Sequence, residues 1–397
     1  MTLSLPQRKA VLLALAGPAM PRPPVAPDDE DWLAIDAMAA QHRLRPWLHH
    51  RLRSGSIGGE IDWAVPGDIA AAWREAYRDA AIGALTAQAA LVRLARAFGD
   101  AGVPMIALKG ARLAFFDYAE AALRPMRDID VLVAPGDMAA AVEALARAGA
   151  DLPADPDAAI ARALGGDKHL DPVLLPDVER YVELHHRIAE PGLPCIQTDA
   201  MLADAVAAEV GGTMVAFPSG EHMLGHLVLH AAYNHRFDCG PLALIDIDTM
   251  LVRRPVDAAR FVALAEAGGW LPGARLVMAL VDRFMGPTGL DIGQSTVPPA
   301  ILAESESLLL QDFEQRQQVL LAAEAGRDGL GATLLARLSR GLRTRPEEGR
   351  LRWLSSRAGR TIRQARDPRA RAEAASGAAL ARWLHGNAQA ALPQDEG

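Results

Sequence analysis

The sequence predicts an α+β fold: a small mixed-sheet domain embedded between N-terminal and C-terminal helical segments. Three observations carry this expectation. Residues 104–133 read in order as strand, tight turn, helix, loop and strand. Pro172 to Leu175 and Arg180 to Leu184 read as two further strands around a turn at Pro176-Asp177. On both sides of this region, apolar residues recur at helical spacing over long stretches. The expected division is a helical cap at 1–100, the sheet domain at 101–197 and a helical domain at 198–335. A basic helical extension with a disordered tail is expected at 336–397.

Composition sets the outer bounds. A chain of 397 residues, half of them apolar, is long enough for two or three packed layers. A net charge of −8 argues against bulk nucleic-acid binding. Cys195 and Cys239 are too few for a disulfide framework, which fits a reducing compartment, the cytoplasm. No apolar run approaches the roughly 20 residues of a membrane span, so none is expected. Arg8 to Met20 has the outline of a short leader, with two basic residues before VLLALAG. An amphipathic first helix is the preferred assignment.

In order along the chain, the Pro-rich segment 21–30 leads into a helix expected from Asp31 to Leu52, marked by Trp32, Ile35, Met38, Leu44 and Leu48. Asp68 to Phe98 reads as a long Ala-rich helix or helix pair ending at Gly99 and Gly102. Met105 to Leu108 is the first strand, and Ala111 to Tyr118 has helical spacing. Arg124-Pro125 is expected to end that helix, because proline disfavours helix at the preceding residue. Asp137 to Arg147 is an amphipathic helix closed by Gly149, and 151–168 is loop around a short helix. From Thr198 onward the chain reads as helical, with segments from Ser219 to about Tyr233, Leu242 to Val252, Ala258 to Ala267, Leu271 to Met285 and Ile301 to Leu338.

The chemistry concentrates in the central stretch. On a strand, alternate side chains share a face, so Asp128 and Asp130 point the same way, about 7 Å apart. Ile129, Val131 and Val133 point the other way, into a core. Two carboxylates on an otherwise buried strand are costly unless a cation pairs them, and a divalent metal does so most simply. In Tyr181-Val182-Glu183-Leu184-His185, Glu183 shares a face with Tyr181 and His185 and is the best candidate for a third carboxylate. Lysine is rare here: only Lys9, Lys109 and Lys168 occur among 41 basic residues. Lys109 in a turn after a strand therefore reads as a chosen point charge, suited to a phosphate.

At these residues the chain resembles the nucleotidyltransferase superfamily, with its polymerase-beta-like fold, and more narrowly the bacterial family of uncharacterised nucleotidyltransferases. The pattern is L-K-G, a short helix, then R-x-x-R-D-I-D-V-L-V ending at Val133. Upstream, Asp31-Trp32-Leu33 through His42-Arg43-Leu44-Arg45-Pro46-Trp47-Leu48 is similar to that family's N-terminal helix. Downstream, Val182-Glu183-Leu184-His185 is similar to its third-carboxylate strand, and Leu227 to Tyr233 with Asp246 to its C-terminal helices. The resemblance spans roughly residues 25 to 270, in order.

It implies metal-dependent transfer of a nucleoside monophosphate from a nucleoside triphosphate, ATP being the expected one, to an acceptor, with release of pyrophosphate. Asp128, Asp130 and Glu183 would be catalytic carboxylates holding Mg²⁺ or Mn²⁺, since paired ions sit about 3.5–4 Å apart between bridging carboxylates. Lys109 and the amides around Gly110 would hold phosphates at a helix start. Arg124 and Arg127 would neutralise charge on the transferring group. His185 would orient a carboxylate or the acceptor, or be an ordinary polar residue. The acceptor, whether a small molecule, sugar, peptide or protein, is open.

The chain departs from the superfamily at the turn, which usually reads Gly-Ser or Gly-Gly and here reads Lys109-Gly110-Ala111. That departure motivates a second class, a nucleotide-binding module without turnover. The plainer alternative for Asp128 and Asp130 is a surface strand paired with Arg124 and Arg127. Asp246-Ile247-Asp248 repeats the D-x-D pattern in a helical segment, where i and i+2 do not share a face. His222, His226 and His230 form one stripe of a helix, suited to packing against the sheet domain or to zinc. Residues 337–371 carry twelve arginines against three acids, a balance of +9. They read as a solvated helical face, or as an RNA contact in a third class of function.

Overall fold

The N-terminal helices are set by their caps. Helix α1 (Leu5–Ala16) begins where the Ser4 amide donates to Gln7 Oε1 at 2.9 Å. Helix α2 (Asp29–Gln41) begins where Asp28 accepts from the Asp31 amide at 3.0 Å. The computed structural model describes residues 2–21, 23–57, 64–293, 297–311, 313–328 and 379–386. The helix expected from Asp31 to Leu52 is in fact two, because α3 (Arg45–Arg53) follows a break at Arg43. There the Leu44 amide donates to the Ala39 carbonyl at 2.8 Å and the Arg43 amide to Ala40 at 3.0 Å, the paired bonds of a Schellman ending. Arg43 sits at φ 58°, where a side chain costs about 1–2 kcal/mol and glycine is usual. Without a glycine, the apolar periodicity ran through the break and hid it.

Helix α4 (Gly67–Asp100) is a single 34-residue helix that serves two cores. Ile69 and Trp73 enter the larger core, built mainly of helices. Ala87, Leu91, Leu94 and Phe98 enter a second, under the sheet. By length and composition alone this helix could cross a membrane, with mean hydropathy 1.2 over its most apolar window. That corrects the expectation that no segment is long and apolar enough; 39% of that window is buried, and Ile82 and Leu85 are exposed.

The sheet has four strands, β1 (Ile106–Ala107), β2 (Asp128–Leu132), β3 (Val173–Leu175) and β4 (Arg180–His185), in the order β1-β2-β4-β3. The central pair β2 and β4 is parallel, and β1 and β3 flank it antiparallel. The β1–β2 link holds α5 (Lys109–Arg112), a π-helical turn at Leu113–Asp117 and a 3-10 turn at Ala121–Leu123. The expected helix thus starts at Lys109 and ends at Tyr118, well before Arg124-Pro125, with the Tyr118 amide on the Leu113 carbonyl at 2.8 Å. Helices α6 (Met138–Arg147) and α7 (Pro156–Gly166) make the crossover from β2 toward β4. Ile129, Val131, Val133, Val182 and Leu184 line the face covered by α4, α6 and α7. Ile106, Leu108 and Leu132 belong to the larger core on the opposite face.

The chain was expected to be helical from Thr198 onward; instead, after α8 (Thr198–Ala203) it forms a hairpin of β5 (Val206–Val210) and β6 (Thr213–Phe217). Gly211 and Gly212 supply the two positive φ angles, 55° and 75°, that a tight hairpin turn requires. Helix α9 (Gly220–Val228), capped by Ser219, continues as a π-helical turn at Leu229–Asn234. Helices α10 (Leu242–Arg253), α11 (Ala258–Ala267), α12 (Leu271–Met285), α13 (Pro299–Leu308) and α14 (Phe313–Asp328) complete this part. Leu380 and Leu384 return to the larger core. The basic stretch 337–371 and the tail from Gln389 lie outside the described residues.

Candidate functional site

Strand register builds the site. In the parallel pair, Asp130 stands beside Glu183, Asp128 beside Tyr181 and Leu132 beside His185. All six face away from the core that receives Ile129 and Val131, so the acids open toward the crevice between the sheet and α9. Both Asp130 and His185 are buried, and Glu183 is half-buried.

Lys109, at φ 39° in the turn after β1, reaches Asp130 Oδ1 with its Nζ at 2.7 Å. His185 Nε2 meets the same oxygen at 2.8 Å and Glu183 Oε2 at 3.3 Å. The His169 ring packs edge-on against His185, with centroids 4.8 Å apart. Burial pushes the Asp130 carboxyl up, but Lys109 and His185 outweigh it and hold it well below the ordinary carboxylate range. The bond to His185 likewise lowers Glu183. Burial opposes the charge of Lys109, yet Asp130, Glu183 and Asp128 together raise its pKa. Asp128 goes the other way: burial first, then the like charges of Asp130 and Glu183, push it up.

Among the described residues, ligand atoms of Asp130, Glu183 and His185 lie within 4.8 Å of one another, the one such group of three. Two carboxylate oxygens and an imidazole nitrogen fit a divalent ion. Asp130 already meets Lys109 and His185 through Oδ1, so an ion held by these residues would compete with the Lys109 contact.

The other expected residues fall as follows. Gly110 is buried, and a Cβ there would meet Met126 Cγ at 2.9 Å, so a larger residue would have to displace the Met126 side chain. The amides of Ala111 and Arg112 donate to the Leu108 carbonyl at 3.2 and 3.4 Å. Arg124 turns its Nε to both oxygens of Asp246, at 2.7 and 2.8 Å. The alternative in which Asp128 and Asp130 form ion pairs with Arg124 and Arg127 is therefore not what the structure shows. Arg127 is exposed, and its side chain has no ion pair or hydrogen bond among the described residues.

Three residues near the site make contacts or carry charge that sequence patterns did not assign to it. Asp246 was set aside with Asp248 as a helical repeat; it is buried and also accepts from the Tyr118 hydroxyl at 2.8 Å. Its link to Arg124 spans 122 residues, so no local pattern marks it. Arg43 reaches the charge field of Asp128 and Asp246 from the helical N-terminal part. His226 is fully buried, and neither ring nitrogen has a partner among the described residues. Burial, then Lys109, push His226 and His230 well below the ordinary histidine range. His222 pairs instead with Asp204 at 3.2 Å. The stripe thus packs against the sheet domain, and with no third ligand close by it makes no zinc group among the described residues.

No curated protein and no solved structure matches the chain. The family model for uncharacterised nucleotidyltransferases matches residues 28–286, which takes in α2 through α12 and every residue of the carboxylate crevice. With more than half of the chain inside that match, the protein belongs to the uncharacterised nucleotidyltransferase family.

Proposed function

We propose that the chain transfers a nucleoside monophosphate from a nucleoside triphosphate to an acceptor and releases pyrophosphate. The observation that carries this is the register of β2 against β4, which sets Asp130 beside Glu183 with His185 and Lys109 around them. Asp130, Glu183 and His185 would hold the ion, with Asp128 adjacent on the same face. The acids suit Mg²⁺, and the imidazole nitrogen shifts the preference toward Mn²⁺. A divalent ion bound there would offset the triphosphate charge and polarise the α-phosphate. Lys109 supplies a positive point charge next to the reacting phosphate once its contact with Asp130 is shared. In the reaction an acceptor oxygen bonds to the α-phosphorus and the α–β phosphorus–oxygen bond breaks. The proton lost by the acceptor goes to solvent water, since Glu183 and His185 would be engaged with the ion.

ATP is the triphosphate expected first, and the acceptor class stays open among small molecules, sugars, peptides and proteins. A second reading, a binding module without turnover, draws on the turn at Lys109, whose neighbouring amides have internal partners. Both readings require metal-dependent nucleotide binding, which raises melting temperature by mass action. The test is a thermal-shift series with the four triphosphates, with and without Mg²⁺ or Mn²⁺, on the wild type and Asp130→Asn. A metal-dependent rise in the wild type, reduced in the variant, is expected. No shift at millimolar nucleotide with either ion would reject both readings.

A further inference from the structure

The chain leaves its two central strands in opposite directions. After β2, Pro135 opens the turn into α6, which packs in the second core. After β4, Ile188 and Ile196 enter the larger core instead. Parallel strands whose exits part to opposite faces leave a crevice beyond their carboxyl ends, the usual place for a ligand in such sheets. Here that crevice is a cavity of about 260 Å³, with Pro135 from one exit and Arg187, Glu190, Ile196 and Asp199 from the other in its lining.

The walls are fixed by the chain's own bonds. Pro191-Gly192 makes a tight turn, with Gly192 at φ 81° and the Leu193 amide on the Glu190 carbonyl at 3.1 Å. The Thr198 hydroxyl donates to the His186 carbonyl at 2.7 Å. Lys168 Nζ meets Glu190 Oε1 at 3.1 Å, so the charge of Glu190 is offset. Arg187 has no such partner: it is half-buried, and its guanidinium makes no hydrogen bond or ion pair among the described residues. A cation withdrawn from water without a counter-charge is costly. Asp199 is exposed. A carboxylate, with its single charge, would answer Arg187, and a guanidinium matches it with two parallel bonds. A doubly charged phosphate would meet more repulsion from Asp199 and Glu190.

His185 joins this cavity to the ion group. Its Nε2 stands at Asp130 and Glu183, and its Nδ1 lies 3.4 Å from the Arg187 carbonyl. We propose that the cavity is the acceptor pocket, and that it takes a small molecule by a carboxylate bound to Arg187. This rests on the nucleotidyl-transfer reading and deepens it, choosing a small acceptor over a polypeptide. The volume supports the choice, since it lies below the roughly 300–1,000 Å³ of pockets for drug-sized ligands and leaves no room for a nucleotide or a run of peptide.

The test has two arms on the full chain, with the wild type, Arg187→Gln and Arg187→Lys, all folded by dichroism. In the first, saturation-transfer NMR follows the methyl protons of acetate and lactate, with inorganic phosphate as competitor. Transfer is expected in the wild type, weaker in Arg187→Lys and lost in Arg187→Gln, with phosphate competing less well than unlabelled carboxylate. No transfer in the wild type, or equal transfer in Arg187→Gln, overturns the site. Phosphate competing better than carboxylate overturns the ligand class. In the second arm, labelling from α-³²P triphosphate is measured with the dialysable and the retained fractions of cell extract. The dialysable fraction should supply the acceptor. Arg187→Gln should need roughly tenfold or more of it for equal labelling, while its metal-dependent thermal shift with nucleotide is unchanged. Labelling from the retained fraction alone, or an Arg187→Gln response equal to the wild type, overturns the acceptor pocket and leaves the nucleotide reading standing. Arg187-dependent carboxylate binding in a protein that shows no metal-dependent nucleotide shift keeps the carboxylate site and rejects the nucleotide reading together with the acceptor role.

Discussion

Asp128 and Asp130 share a strand face two residues apart and yet titrate in opposite directions. For Asp130 the folded state favours the carboxylate, through Lys109 and His185. Its contribution to stability is present above its unfolded pKa and is lost as pH falls through the lowered folded value. Asp130→Asn leaves the half-buried Lys109 without its charged partner and should lower stability by about 1–3 kcal/mol, measured by urea unfolding at pH 7. For Asp128 the folded state disfavours the carboxylate, through burial and its like-charged neighbours. An acid whose pKa rises on folding destabilises above that raised pKa and has no effect below its unfolded value, near ~3.9. Asp128→Asn should therefore raise the melting temperature of the metal-free protein at pH 7 to 8, with the gain vanishing toward pH 4. A melting temperature unchanged or lowered at pH 7 would contradict that assignment. Divalent metal should stabilise the wild type more than it stabilises either variant.

At the scale of elements, the hairpin gives a local test. Gly212 holds φ 75° in a turn of two glycines. Gly212→Ala should cost about 1 kcal/mol, and Gly212→Asn less, because asparagine tolerates this conformation. A stability equal to the wild type in the alanine variant would mean the turn relaxes to another form. This hairpin also shows where sequence patterns reach. Val206 to Phe217 alternates around Gly211-Gly212, a period-2 signal that was available but was outweighed by the helical run on either side. The break at Arg43 left no such signal, since arginine stands where glycine would have announced it. The strands of the site were legible because D-I-D-V-L-V and Y-V-E-L-H alternate cleanly, and the register then follows from putting the apolar faces into one core. The pairing of Arg124 with Asp246 left no local signal, because the partner is 122 residues away in sequence.

The whole molecule is joined by α4, whose two halves belong to different cores. Of the seven tryptophans, Trp32, Trp73 and Trp270 are buried in the larger core, and Trp47 and Trp383 pack against it. The fluorescence of these five therefore reports on that core, away from the sheet's other face. Leu91→Ala lies in the second core and should cost about 2–5 kcal/mol. If α4 couples the cores, the fluorescence transition should shift with the far-UV dichroism transition and remain single. A fluorescence midpoint that stays put while dichroism shifts would mean the two cores unfold independently. The site lies where both cores meet, with Leu132 on the larger core and Ile129 and Val131 on the second, so stability on either side bears on the carboxylate geometry.

Transfer itself is the most direct test at this scale. Purified protein, α-³²P-labelled triphosphates, Mn²⁺ or Mg²⁺ and cell extract are incubated, and label on an acceptor and released pyrophosphate are measured together. The wild type should label an acceptor and release pyrophosphate in equal amounts. Asp128→Asn and Asp130→Asn, folded by dichroism, should fall by roughly 10²-fold or more, since an amide cannot supply the charge that fixes the ion. Asp248→Asn, on α10, should fall far less. A wild type that labels nothing, or Asp128→Asn and Asp130→Asn variants that label as well as the wild type, would contradict nucleotidyl transfer at this crevice.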